Sequence, residues 1–145
     1  MAGVSRKTLA DLAELELKAI ANTSYYRAEI PTTPPTISPA DLRVKPYTVL
    51  WPSPGAPGDE RAQDDAPLVD LQWRFIVSCV AGDPATIDVL VDHVFGRFHG
   101  WRPVLPGLSV GTCAQDFDPG PPQADRSSMP ARFYLQVPFL LHVGA

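Results

Sequence analysis

Leu68-Val69-Asp70-Leu71-Gln72-Trp73-Arg74-Phe75-Ile76-Val77-Ser78-Cys79-Val80-Ala81 alternates with a period of two. Val69, Leu71, Trp73, Phe75, Val77 and Cys79 share one face, and Asp70, Gln72, Arg74 and Ser78 share the other. Successive side chains of a strand point to opposite sides, so the stretch predicts one long β-strand with a buried face. At about 3.3 Å per residue it would extend roughly 45 Å, which matches or exceeds the diameter of a compact domain of this length. Part of it is therefore expected to project beyond its own core.

Immediately downstream, Gly82-Asp83-Pro84 supplies an N-cap followed by proline at the first helical position. Ile87, Leu90, Val91, Val94, Phe95 and Phe98 then recur at helical spacing, and Gly100 is placed to close the helix as its C′ residue. Such a stripe has to be buried against a sheet. Upstream, Tyr47-Thr48-Val49-Leu50-Trp51 reads as a short strand of β-branched and aromatic residues, stopped by Pro52-Ser53-Pro54-Gly55.

At the N-terminal end, from about Ser5 to Asn22, Leu9, Leu12, Ala13, Leu17 and Ile20 fall on one side of a helix, with Lys7, Asp11, Glu14 and Lys18 elsewhere. Thr8 and Asp11 form a weak capping-box pattern at its start. Towards the C-terminus, Leu108 to Gln115 reads as a strand. Arg132 to Val143 is a stronger one, with Phe133, Leu135, Val137, Phe139 and Leu141 on one face. Pro138 within it argues for a sheet edge or a bulge, because proline offers no N–H to a ladder.

Seventeen of the 145 residues are proline, well above the usual share of about 5%. They cluster at Pro31, Pro34, Pro35 and Pro39, at Pro52, Pro54, Pro57 and Pro67, and at Pro119, Pro121, Pro122 and Pro130. These clusters mark extended connections. The first gives an extended arm at about residues 23–46, the second an acidic loop with Asp59, Glu60, Asp64 and Asp65, and the third a loop from Asp116 to Pro130. The element order is helix, strand, strand, helix, strand, strand. It predicts an α+β fold in one domain, residues 1–145, with an antiparallel or mixed sheet of about four strands and two helices packed on one face.

The net charge of -4 offers no basic excess for a phosphate backbone, so no direct nucleic-acid recognition is expected. No stretch is long and uncharged enough to span a membrane. Acidic Asp11 and Glu14 interrupt what a signal peptide would keep apolar, so the expectation is synthesis in the cytoplasm. Cys79 and Cys113 fall in strand-like runs and read as packed thiols.

No phosphate loop, nucleophile elbow or zinc-ligand spacing is present in the sequence, and neither enzymatic activity nor a cofactor or metal is expected. Asp88, Asp92, His93 and His99 lie on or at the end of the second helix. Without a third ligand they read as its solvated face. Asp116-Phe117-Asp118 lacks the remaining ligands of a calcium loop, and Asp118 before Pro119-Gly120 reads as turn chemistry. Trp73 lies on the apolar face and belongs to the core. Trp51, beside a proline loop, and Trp101, after the helix stop, are candidates for touching another subunit.

Five features carry a likeness to a known family. They are the N-terminal helix; Pro46-Tyr47-Thr48-Val49-Leu50-Trp51-Pro52-Ser53-Pro54-Gly55; the long strand ending Val80-Ala81-Gly82-Asp83; the helix ending Gly100-Trp101-Arg102-Pro103; and the closing Phe133-Tyr134-Leu135-Gln136-Val137-Pro138-Phe139-Leu140-Leu141-His142-Val143. In this order they resemble the tail terminator family of long-tailed siphophages, especially that of phages and prophages of actinobacteria. The likeness covers most of the chain from Pro46 onward. Residues 25–45 are longer and richer in proline than the simplest members suggest.

The resemblance implies a structural virion protein of the tail and neck, a homo-oligomeric ring, typically a hexamer. Such a ring caps the tail tube, stops polymerisation of the major tail tube protein and offers a head-tail joining surface to the head-completion or connector protein. On this reading Trp51, Asp59, Glu60, Trp101, Asp116, Asp118 and Arg126 are the candidate inter-subunit or tube contacts. The alternatives are a connector of the same neck, a tail-tube subunit, and, from another class, a small ligand-binding or enzymatic α+β domain.

Overall fold

In the computed structural model, which describes residues 5–54, 56–57, 71–127 and 130–144, the alternating stretch forms the strand β4, Leu71–Ala81. Leu68 to Asp70 lie outside the described residues. Strand β8, Arg132–Gly144, pairs antiparallel with β4 along its whole length, from Leu71 opposite Val143 to Ala81 opposite Phe133. The described part of β4 therefore does not project beyond its core, because a partner strand and buried neighbours accompany every residue. Leu71, Trp73, Phe75, Val77 and Cys79 are each at most 1% exposed.

Two helices complete this core. α1, Arg6–Lys18, contributes Leu9, Ala10, Ala13 and Leu17, and α2, Pro84–Phe98, contributes Ile87, Leu90, Val94 and Phe98. These residues join the odd-numbered residues of β4 and β8 in one buried cluster. Phe75 lies at its aromatic centre: stacked on Trp73 and Phe139, with Phe98 and Trp101 meeting it edge to face. The cap of α1 is Ser5, whose hydroxyl accepts from the Thr8 N–H at 3.2 Å, rather than a box begun by Thr8. Asp83 caps α2 through the Thr86 N–H at 2.8 Å, and Gly100 follows the helix with φ +76°.

The sheet is mixed and has eight strands, three of only two residues, where about four were expected. β2, Tyr47–Pro52, pairs antiparallel with β4, and β1, Ser24–Arg27, pairs parallel with β2. β3, Ala56–Pro57, continues the β2 side of β4. β5 (Ser109–Val110), β6 (Ala114–Gln115) and β7 (Gln123–Asp125) line the outer edge of β8.

The expected strand from Leu108 to Gln115 is thus broken into β5 and β6. The cause lies at residues 111–113, where Cys113 turns inward, buried, donating its N–H to the Trp101 carbonyl and accepting from the Gly100 N–H. β3, β5, β6 and β7 escape the sequence pattern because two or three residues cannot display a period.

The arm is anchored at several points. β1 lies in the sheet, Thr36 bridges Val44, the Lys45 N–H donates to the Pro35 carbonyl at 2.8 Å, and Val44 is buried. Gly82 is what lets it lie so close: a Cβ there would stand 3.2 Å from the Val44 nitrogen and 3.3 Å from its carbonyl oxygen. Arg27 ties β1 to α1 through Asp11 at 2.8 Å and Glu14 at 3.7 Å.

Pro138 is accommodated without a bulge in the β4 ladder. Its carbonyl accepts from the Asp116 N–H, on the side away from β4. N–H and C=O of one strand residue point the same way, so the missing donor of Pro138 also faces outward. β8 is interior by strand order, so the expectation of a sheet edge or a bulge at Pro138 is not met; between β6 and β7 only Gln136 has no backbone partner on the outer edge among the described residues.

Candidate functional site

The sheet face opposite the main core presents a second, smaller buried cluster of Val44, Tyr47, Val49 and Val80, with Tyr26, Trp51 and Tyr134 partly buried beside it. The alternation that sends odd residues of β4 and β8 inward sends Ser78, Val80, Tyr134 and Gln136 to this face. Between the arm on one side and β7 on the other lies a cleft of about 320 Å³. Its floor is Tyr47, Val49, Ser78, Val80 and Arg132, and Ile30 and Asp125 stand at its walls.

The chemistry of this cleft is mostly internal. Arg132, 9% exposed, donates from Nη1 to the Tyr47 hydroxyl at 3.0 Å and to the Pro31 carbonyl at 3.2 Å. Trp51 donates from Nε1 to the Ser78 hydroxyl at 2.9 Å, and the Tyr134 hydroxyl donates to the Gln123 side-chain oxygen at 3.0 Å. Asp125 lies below the usual carboxylate range because Ser127 donates to it through its hydroxyl and its backbone N–H. These polar groups bind one another and hold the walls.

A second cleft of about 160 Å³ adjoins it across Tyr134 and Gln136, over the unpaired edge of β8. Phe117, Pro119 and Pro121 wall it, and Phe117 is 61% exposed. Asp118 accepts from the Gly120 N–H at 2.9 Å, the turn that the Asp-Pro-Gly sequence implies.

The candidate contact residues do not form one patch by contact. Trp51 is half-buried on the open face. Trp101 is half-buried but turned into the main core against Phe75 and Phe98, so its environment is that of a packed side chain. Asp116 pairs with Arg74 at 3.0 Å, which joins the β6 side to β4 across the outside of β8. Asp118 serves its turn, and Arg126 is exposed with no ion pair among the described residues. Asp59 and Glu60 lie outside the described residues.

Sequence reading missed Arg132, Tyr47 and Gln136 as features of the open face. Only the position of Arg132 at the head of an apolar strand hinted at a buried charge needing partners.

Among the described residues, no group of three or more His, Cys, Asp or Glu is arranged to hold a metal ion, and no helix is long and apolar enough to cross a membrane. Burial pushes the thiols of Cys79 and Cys113 up to about 12. Asp88, Asp92 and His93 on α2 and His99 just after it are exposed, and the His99 ring stacks on Phe95 at 4.6 Å. No family model matches the sequence, and a search of curated proteins finds no match.

Proposed function

We propose that this chain is a tail terminator: a structural subunit that closes into a ring, typically of six copies, on the end of a phage tail tube. The ring stops tube polymerisation and presents the head-tail joining surface. The observation that carries this reading is the asymmetry of the sheet. Both helices share one buried cluster with its inner face, while the opposite face keeps half-exposed Trp51, Ile76 and Tyr134 and exposed Gln136 beside two adjoining clefts.

Aromatic side chains half-exposed beside a packed sheet suit a surface made to be covered by another polypeptide. The polar lining supports the same reading, since Arg132, Ser78 and Tyr134 are engaged with protein partners. A geometric role also fits the fate of the cysteines, whose burial keeps them protonated and poor nucleophiles.

On this reading, the acidic segment around Asp59 and Glu60 and the loop carrying Asp116, Asp118 and Arg126 contact neighbouring subunits or the tail tube protein. The deciding experiment is electron microscopy of particles assembled without this protein. Overlong tails without heads are the expected product, and filled heads without tails would assign it instead to the connector of the same neck.

A further inference from the structure

We infer that residues 29–33 are a movable wall of the open-face cleft, latched by the Arg132 guanidinium, and that this wall opens while the sheet stays folded. The inference stands on the geometry of the cleft and holds whether or not the chain forms a ring.

The wall is tied down at its two ends and at one point between them. Before it, the Ala28 N–H donates to the Leu50 carbonyl at 2.8 Å; after it, Pro34 is buried and the Pro35 carbonyl accepts from the Lys45 N–H. Between these anchors Glu29, Ile30, Thr32 and Thr33 are exposed and Pro31 is half-buried. Among the described residues, the one hydrogen bond that reaches them runs from Arg132 Nη1 to the Pro31 carbonyl at 3.2 Å. An exposed run with a single polar tie belongs to the least stable part of a fold, where local opening occurs. Ala28 sits at φ +54°, a conformation that a residue with a Cβ holds only under strain. The joint at which the chain leaves β1 is therefore relieved when the wall swings away, and the latch opposes that relief.

What the wall guards is apolar. Ile30 lines the cleft with Val49 and Val80, and while Ile30 is 64% exposed, those two floor residues are 0% and 6% exposed. Val80 lies in the ladder between Tyr47 and Tyr134, so the Arg132 side chain, reaching from β8 to the Tyr47 hydroxyl on β2, crosses β4 beside it. Breaking the latch frees the Pro31 carbonyl and uncovers this part of the floor. The opposite wall is fixed, because Asp125 of β7 pairs with Arg132 itself in the β7–β8 ladder. At about 320 Å³ the cleft is at the small end of binding cavities, and it widens only on the arm side.

The test uses the full chain carrying Val80→Cys, with the parent chain as standard. Cys79 precedes residue 80 in β4 on the opposite face, fully buried in the main core, and is reached only when the sheet opens. In native buffer a thiol reagent is expected to label residue 80 at least about tenfold faster than it labels Cys79 in the parent, and at least about tenfold slower than a free thiol. Low urea should accelerate labelling of Cys79 and leave that of residue 80 nearly unchanged, since a local opening exposes little surface. Arg132→Lys, which keeps the charge without the rigid fork, should raise the rate at residue 80 by about fivefold or more. Labelling of residue 80 as slow as that of Cys79, labelling as fast as a free thiol, or a rate that Arg132→Lys leaves unchanged each overturns the movable wall.

Discussion

Arg132 and Tyr47 meet at 3.0 Å although the strands that carry them, β8 and β2, are separated in the sheet by β4. The guanidinium spans the open face and also reaches the Pro31 carbonyl at 3.2 Å, so one side chain joins the closing strand, the second strand and the arm. Arg132→Ala leaves a buried hydroxyl and a carbonyl short of a donor, at a cost of about 1–3 kcal/mol. Urea denaturation measures the loss, and hydrogen exchange should show faster opening of residues 31–46.

Phe75 carries the main core, since Trp73, Phe98, Trp101 and Phe139 all rest against its ring. Phe75→Ala removes that centre and leaves a cavity among rings held by α2, the segment that follows it and two strands, which is expected to cost about 3–5 kcal/mol in urea denaturation.

Thr48 is fully buried, and its hydroxyl has no hydrogen-bond partner among the described residues. Thr48→Val keeps the β-branched shape and removes an unsatisfied polar atom, so it is expected to stabilise the fold by roughly 1 kcal/mol. A lowered urea midpoint would show that the hydroxyl has a bonding role.

Asp83 caps α2, and the N–H and hydroxyl of Thr86 hold its carboxyl below the ordinary carboxylate range. A depressed folded-state pKa stabilises the protein above the unfolded value of about 4, and that contribution is lost as pH falls below it. Asp83→Ala should therefore cost about 1 kcal/mol at neutral pH and progressively less on acidification below pH 4. Thermal unfolding of the two proteins across that range checks the sign.

Much of the fold is legible in the sequence because long periodic segments advertise themselves. The alternation from Leu71 to Ala81 and the Asp83-Pro84 start predict what the structure contains, and of the helical stripe Ile87, Leu90, Val94 and Phe98 are buried, whereas Val91 is half-buried and Phe95 is exposed with His99 stacked on it. What escaped notice depends on contacts between distant residues. β1 in the arm reads as irregular chain, and only parallel pairing with β2 makes it a strand. Pro138 misleads as an edge or bulge signal: its strand is interior and its ladder with β4 unbroken, because its nitrogen faces the outer side, where only its carbonyl is used, by the Asp116 N–H. Trp101 resembles an exposed aromatic after a helix stop until Phe75 and Phe98 are seen to receive it. The open face is legible only in part, because the partners of Arg132 lie 85 and 101 residues away in the chain.

The account stands most directly on the mass of the purified full-length protein in its native state, measured over a range of concentrations. A single closed oligomer is predicted, near 94 kDa for six copies of the 15.7 kDa chain, and its mass should stop growing as concentration rises. A monomer at every concentration, or a ladder of masses that lengthens without limit, would contradict it.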